Sequence, residues 1–249
     1  MSMASPDISQ SAQHRLIETD VNAARSEGMC ALSETVGKRV LQSNGIAVPR
    51  SCFALAEESL DALARSLSPP FALKLVSADI IHKTNVGGVR LNIPKIEAAC
   101  ASLGEMRESL RAKGIRIDGW LLEEMAPPGL KIVIGGTRDR RFGPTIMVGL
   151  GGVFVELLDD VSFRVCPIDA FDARQMISEL RGARLLNCWR GRPSVSLESL
   201  EKTLLKMGGE NGLLIDLLEL ADEVEINPLI LTSSTAIAVD ARIILGGSR

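Results

Sequence analysis

The chain is 249 residues long, enough for one or two domains with a sizeable core, and its 46% hydrophobic and 24% charged residues are the balance of an ordinary globular protein. A net charge of −3 excludes the basic excess of a typical nucleic-acid binder, and 3% aromatics with no Tyr argue against base-stacking platforms. Cys30, Cys52, Cys100, Cys166 and Cys188 are widely spaced and form no C-x-x-C pair, which suggests neither a disulfide framework nor a zinc site but reduced thiols. No apolar run is long enough to cross a bilayer, and Met1 to Asp20 lacks the apolar segment of a signal peptide. A cytoplasmic protein that holds a small charged ligand is the expectation.

In chain order, residues 1–24 read as a loose extension or a short docking helix. A helix is predicted to begin at Ser33, which with Glu34 and Thr35 supplies a cap and early negative charge, and to stop at Asn44-Gly45. Ser59 to Leu67 reads as a second short helix. Phe71-Ala-Leu-Lys-Leu-Val76 follows Pro69-Pro70 and reads as a strand, and Val89 to Ile93 as its hairpin partner beyond a polar loop. Lys95 to Lys113 has helical spacing and ends at Gly114, and Trp120 to Met125 is a strand running into a hinge at Pro127-Pro128-Gly129. Lys131 to Thr137, Pro144 to Val148, Val153 to Leu157 and Phe163 to Pro167 read as strands. Asp172 to Arg181, Ser196 to Met207 and Gly212 to Leu220 read as helices, and Val224 to Ile230 with Ala236 to Asp240 as a closing strand pair. The class is α/β or α+β, with two lobes of similar size, 25–126 and 127–249, behind the extension 1–24. A ligand cleft between the lobes is expected.

Familiar nucleotide motifs fail. Gly37-Lys38 lacks both the glycine and the Ser/Thr of a Walker A loop, and Gly149 and Gly151 are followed by Phe154 where a dinucleotide fingerprint needs glycine. Three constellations remain. The polar loop 77–88 holds His82, one of two histidines, beside Lys83; imidazole accepts a phosphoryl group as a nucleophile, although a capping histidine in a solvated loop is the plainer alternative. Lys74 inside an apolar strand is either a phosphate ligand or an edge-strand lysine reaching for water. Glu223, Glu225 and Asn227 recur at period two and so share a strand face, with Asp240 after the next apolar run; such oxygens suit Mg²⁺, or else line a solvated edge.

These residues carry a resemblance. Phe71 to Val89 resembles the histidine loop of the ADP-forming acyl-CoA synthetase (acetate–CoA ligase) family, within the succinyl-CoA synthetase superfamily. Gly136 to Pro144 is similar to that family's G-x-x-D-x-x-F-G-P element, and Gly149 to Glu156, Asp160 to Arg164, Glu223 to Pro228 and Ala238 to Ala241 continue in the family's order. The resemblance is to the nucleotide-binding β part. It implies an ATP-grasp fold, two lobes with the nucleotide cleft between them, and the reaction acyl-CoA + ADP + phosphate ⇌ acid + CoA + ATP. It implies His82 as the phosphoryl relay, and Lys38, Lys74 and Arg164 as phosphate contacts. It further implies Glu123, Glu124, Met125 and Ala126 as the adenine-holding strand, and Asn227 and Asp240, with Glu225 beside them, as Mg²⁺ ligands. A CoA-binding α subunit in an α₂β₂ complex is the implied partner, with neither nucleic acid nor membrane. Asn85, Lys131, Cys188 and Ser196 stand where the family commonly has Asp, Glu, Gly and Asp. Two alternatives stay open at this point: an ATP-grasp carboxylate ligase without a histidine relay, and a non-catalytic nucleotide-binding regulatory subunit.

Overall fold

A computed structural model of the chain describes residues 8–55, 64–77, 80, 83–152, 160–187 and 194–246. The chain forms two compact units. Pro49–Pro127 make the smaller one; residues up to Val48 together with those from Pro128 onward make the larger.

In the smaller unit, β1 (Ser51–Ala54), β2 (Phe71–Val76), β3 (Val89–Ile93) and β4 (Gly119–Glu124) form an antiparallel sheet in the order β1-β4-β2-β3. Helix α3 (Ile96–Ala112; α1 and α2 lie in the larger unit) covers one face of it. Ala99, Leu103, Met106 and Leu110 fall on one helical stripe and are buried against Phe71, Leu73, Leu75, Trp120 and Leu122, the period-two face of β2 and β4. Strand β2 is central and all six of its residues are buried, which is why it reads as an unbroken apolar run.

The larger unit is built on a second antiparallel sheet. Its strands are β5 (Leu130–Asp139), β6 (Gly143–Leu150), β7 (Val161–Val165), β8 (Glu223–Leu231), β9 (Ala236–Ala238) and β10 (Arg242–Ile244), in the order β10-β8-β5-β6-β7 with β9 also on β8. Helices α4 (Ala170–Glu179), α5 (Leu197–Gly208) and α6 (Leu213–Leu217) share a core with one face, where Ile132, Ile134, Ile146, Val148, Val224 and Ile226 point. Among the described residues every strand pairing is antiparallel, so of the two classes left open the fold is the α+β kind.

Residues 1–24 were expected as a loose extension or a short docking helix. The described part is a helix, α1 (Ile8–Ser26), whose Ile17, Val21 and Ala24 join the larger unit's core. Its Asp20 pairs with Arg39 at 2.5 Å, and Arg25 donates to the Leu220 carbonyl at 2.8 Å. Helix α2 (Glu34–Ser43) begins at its predicted Ser33 cap and ends before Gly45, which takes φ +71°. It too belongs to the larger unit, because residues 30–32 run along β10: the Leu32 N–H donates to the Ile243 carbonyl, and the Leu245 N–H to that of Cys30. The chain thus passes from the larger unit to the smaller at Val48–Pro49 and back at Pro127–Pro128, and the units are unequal in size. Gly129, read as part of a hinge, is glycine for a local reason: a Cβ there would lie 2.5 Å from the Leu231 carbonyl oxygen. The predicted strand 153–157 lies outside the described residues, as does most of the helix predicted over 59–67, of which Ala64–Ser66 is a 3₁₀ turn. No described helix is long and apolar enough to cross a membrane.

Candidate functional site

The acidic constellation is assembled by strand register. β9 pairs with β8 as Leu231↔Ala236 to Leu229↔Ala238, and β10 as Glu225↔Arg242 to Glu223↔Ile244. Both stretches obey one antiparallel register, interrupted only around 239–241, where the Val239 N–H still donates to the Pro228 carbonyl at 3.1 Å. Carrying the register through that gap sets Asn227 opposite Asp240, and directly opposed residues share a face. Glu223, Glu225, Asn227, Asp240 and Arg242 thus stand together on the face turned away from Ile226 and the helices. The expected closing strand pair continues further than predicted, and its second segment brings in Arg242, which the sequence reading missed. The signal was present: in Asp240-Ala-Arg242 the polar residues recur at period two opposite Glu225 and Asn227.

Within this face the side chains divide the work. Arg242 Nη2 lies 2.6 Å from Glu223 Oε1 and 2.5 Å from Glu225 Oε2, and Asn227 Nδ2 donates to Glu225 Oε1 at 3.0 Å. Asp240 is half-buried, and its Oδ1 accepts the Ala241 N–H at 2.8 Å. Glu223 and Glu225 share the Arg242 guanidinium, and Asp240 adds a third carboxylate to the face. Among the described residues no group of three or more His, Cys, Asp or Glu side chains forms a metal cage. An amide and one carboxylate, completed by water and phosphate oxygens, are what Mg²⁺ requires, so the donor set fits that ion.

Helix α2 abuts this hairpin. A Cβ on Gly37 would lie 3.2 Å from both the Cβ and the carbonyl oxygen of Ala241, so the two backbones nearly touch. Lys38 and Asp240 flank that contact in the chain. Lys38 is buried, with its Nζ 2.8 Å from Glu34 Oε1 one turn earlier. A buried ammonium is tolerated only when paired, so this lysine is held in place by its own helix.

In the smaller unit, Lys74 and Glu123 lie on the sheet face opposite α3, where Ala72 stands across from Glu123 and Lys74 across from Leu121. Lys74 Nζ is 2.9 Å from Glu123 Oε2, with side-chain exposures of 10% and 2%. Of the two readings of Lys74, the edge-strand lysine is excluded, because β2 lies between β4 and β3. Glu124 is occupied structurally: its carboxylate accepts from the Ser68 N–H at 2.8 Å and from Arg50 at 3.2 Å. The Glu124 and Met125 N–H groups donate to the Arg50 and Pro70 carbonyls, whereas among the described residues the Ala126 N–H has no backbone acceptor. Any base contact from this strand end therefore falls to carbonyl oxygens and to Ala126. His82 lies outside the described residues; Lys83–Val86 just after it form a 3₁₀ turn closed by the Gly88 N–H on the Lys83 carbonyl.

Arg164 on β7 pairs across from Ile146 and therefore faces the helix-covered side of the sheet, three strands or roughly 14 Å from β8. Its guanidinium grips Glu179 of α4 at 2.5 and 3.0 Å and donates to the Phe163 carbonyl. The Glu179 hydrogen bonds raise the Arg164 pKa above its ordinary value. It is a strut between sheet and helix and does not join the acidic face. The glycines after β6 let backbones come close: a Cβ on Gly149 would meet the Asp160 carbonyl oxygen at 2.9 Å, and one on Gly151 the Lys131 backbone at 3.0 Å. Asp160 itself caps a turn, accepting the Arg181 and Gly182 N–H groups at 2.7 and 2.8 Å.

Comparison with known proteins agrees with this architecture. The family model described as an ATP-grasp domain matches residues 23–245. The β subunit of acetate–CoA ligase [ADP-forming] I from Pyrococcus furiosus is 39% identical over 216 residues, covering 86% of this chain and 91% of the relative. Two solved structures of acetyl-coenzyme A synthetase 1 from Ca. Korarchaeum cryptofilum also align. One, with coenzyme A and Ca-AMPCP, gives a TM-score of 0.84 at 38% identity over 91% of this chain and 98% of that one. The other, with coenzyme A and Mg-AMPPCP and its phosphohistidine segment pointing towards the nucleotide site, gives 0.77 at 36% identity over 92% and 100%. With the domain match spanning almost the whole chain and the β-subunit relative matched over 91% of its length, the chain belongs to the ATP-grasp family of ADP-forming acyl-CoA synthetase β subunits.

Proposed function

We propose that the chain is the nucleotide-binding subunit of an ADP-forming acyl-CoA synthetase, moving a phosphoryl group between His82 and ADP within acyl-CoA + ADP + phosphate ⇌ acid + CoA + ATP. What supports this is that the register of β8 with β9 and β10, carried across 239–241, sets Asn227 opposite Asp240 beside Glu225 and Arg242. The β-subunit relative and the phosphohistidine segment of the Korarchaeum enzyme support it. In the ATP-forming direction the P–N bond of phosphohistidine breaks as a P–O bond forms to the terminal oxygen of ADP. Such a transfer needs positioning and charge neutralisation more than covalent assistance. Lys38 and Lys74 are the cations assigned to the nucleotide phosphates, each held ready by a carboxylate of its own unit. Asn227 and Asp240 would hold Mg²⁺, which when bound neutralises phosphate charge. Adenine recognition falls to the backbone at Glu123 to Ala126, which accounts for the low aromatic content. The β-subunit kinship supports a separate, CoA-binding α partner, and α₂β₂ is the assembly proposed.

The test is phosphoenzyme formation. Incubated with γ-labelled ATP, the wild-type chain acquires acid-labile label, whereas His82→Ala acquires none and binds ADP as wild type does. Label persisting on the variant would show that His82 is not the acceptor. Acyl-CoA-dependent ATP synthesis is expected only after the CoA-binding partner is added, and full activity without it would overturn the split-subunit reading.

A further inference from the structure

We infer that Arg242 is a positioning residue of the metal site, holding Glu225 as a bracket on Asn227. This rests on the metal reading above. Both oxygens of Glu225 are engaged, one by Arg242 Nη2 at 2.5 Å and the other by Asn227 Nδ2 at 3.0 Å. Only the NH₂ of an amide donates to a carboxylate; its carbonyl turned that way would be repelled. The bond to Glu225 therefore fixes the orientation of the Asn227 amide and leaves its Oδ1 on the edge away from Glu225, available to a cation. The same Arg242 nitrogen is 2.6 Å from Glu223 Oε1, so a single guanidinium spans two carboxylates that would otherwise repel each other along one strand face. Among the described residues Arg242 Nε is buried without an acceptor. An unmet buried donor is costly, and a side chain tolerates it here because the two carboxylates, rather than its own N–H groups, dictate its pose. The chain Glu223–Arg242–Glu225–Asn227 thus orients the amide before any cation arrives. It also makes the three candidates unequal: Asn227 and Asp240 ligate, and Glu225 aims.

The experiment measures Mn²⁺ binding, by the resonance signal of the free ion, to the full chain saturated with ADP. Arg242→Met and Glu225→Gln are each expected to weaken Mn²⁺ binding about tenfold or more, the size usual for residues that orient a ligand. The double variant is expected to be no weaker than the worse single one, because both act along one path. Arg242→Lys should recover part of the loss, and metal-free ADP binding should stay at the wild-type value in all of them. Wild-type Mn²⁺ affinity in Arg242→Met, with affinity lost in Asp240→Asn, would refute the inference and leave the metal site standing. Wild-type affinity in Asp240→Asn as well would remove both. A loss of metal-free ADP binding in Arg242→Met would mean direct phosphate contact and would also refute the positioning role. Should Arg242→Met fail to fold, Glu225→Gln, which retains the Arg242–Glu223 pair, carries the same comparison.

Discussion

Replacing Lys74 by Met tests whether the buried pair in the smaller unit is structural, functional or both. At 2.9 Å the gross attraction between Lys74 and Glu123 is about 6 kcal/mol at an effective dielectric of about 20, most of it offset by the cost of taking both charges out of water. Losing the lysine leaves a carboxylate that is 2% exposed without its ammonium partner, so Lys74→Met is expected to destabilise the unit by about 3–5 kcal/mol. The double variant Lys74→Met/Glu123→Leu removes both charges at similar volume and should regain most of that loss. Trp120, buried in the same sheet, reports the unfolding locally in a Trp189→Phe background during urea titration. ADP titration of the refolded double variant then separates the roles: stability returns while nucleotide affinity stays low, because no cation stands at position 74. A single variant within about 1 kcal/mol of wild type, or a double variant as unstable as the single one, would refute the electrostatic argument. A stable double variant with wild-type ADP affinity would instead refute the phosphate role of Lys74.

The strut at Arg164 makes a pH-dependent prediction. Hydrogen bonds from Arg164 and then Ser162 hold the Glu179 carboxyl below its ordinary range. A depressed folded-state value means the contribution is complete above the unfolded value near pH 4.3 and is lost as pH falls through the folded value. The difference in thermal midpoint between wild type and Glu179→Gln should therefore be steady near neutrality and shrink on acidification; a difference that grows in acid would contradict the pairing. The cysteines offer a second check. Burial pushes the Cys166 thiol up to about 11, whereas Cys30 is exposed. Iodoacetamide at pH 8 should modify Cys30 first and reach Cys166 only under denaturing conditions, as read by peptide mass spectrometry. Early modification of Cys166 would mean that the β7–α5 packing opens in the native state.

Much of the fold was legible because its signals are local. The Ser33 cap and the Asn44-Gly45 stop bound α2 as predicted, and the stripe Ala99, Leu103, Met106, Leu110 declares its buried face within a single helix. The run 71–76 reads as a strand from its apolar continuity. The candidate site was legible in part. Period two placed Glu223, Glu225 and Asn227 on one face, and that face exists. What period two cannot tell is which strand lies opposite, and that omission hid Arg242 and left Glu225 undistinguished from its neighbours. The place of Arg164 was hidden for the related reason that one arginine in a strand gives no sign of which side of the sheet the helices cover.

By itself, then, the sequence determined the identity and approximate limits of most elements, the mild acidity suited to a Mg-nucleotide rather than nucleic acid, and the order of motifs that marks the family. Caps, turns and periodicities involve residues a few positions apart and need no partner to be recognised. Only the tertiary structure decided that residues up to Val48 build the larger unit, that Lys74 is buried on a central strand beside Glu123, and that Arg242 stands opposite Glu225 while Arg164 turns to the other face. Each of those facts depends on strand order and register between segments far apart in the chain. Because a strand alternates faces at every residue, a shift of one position would exchange every site residue for its buried neighbour.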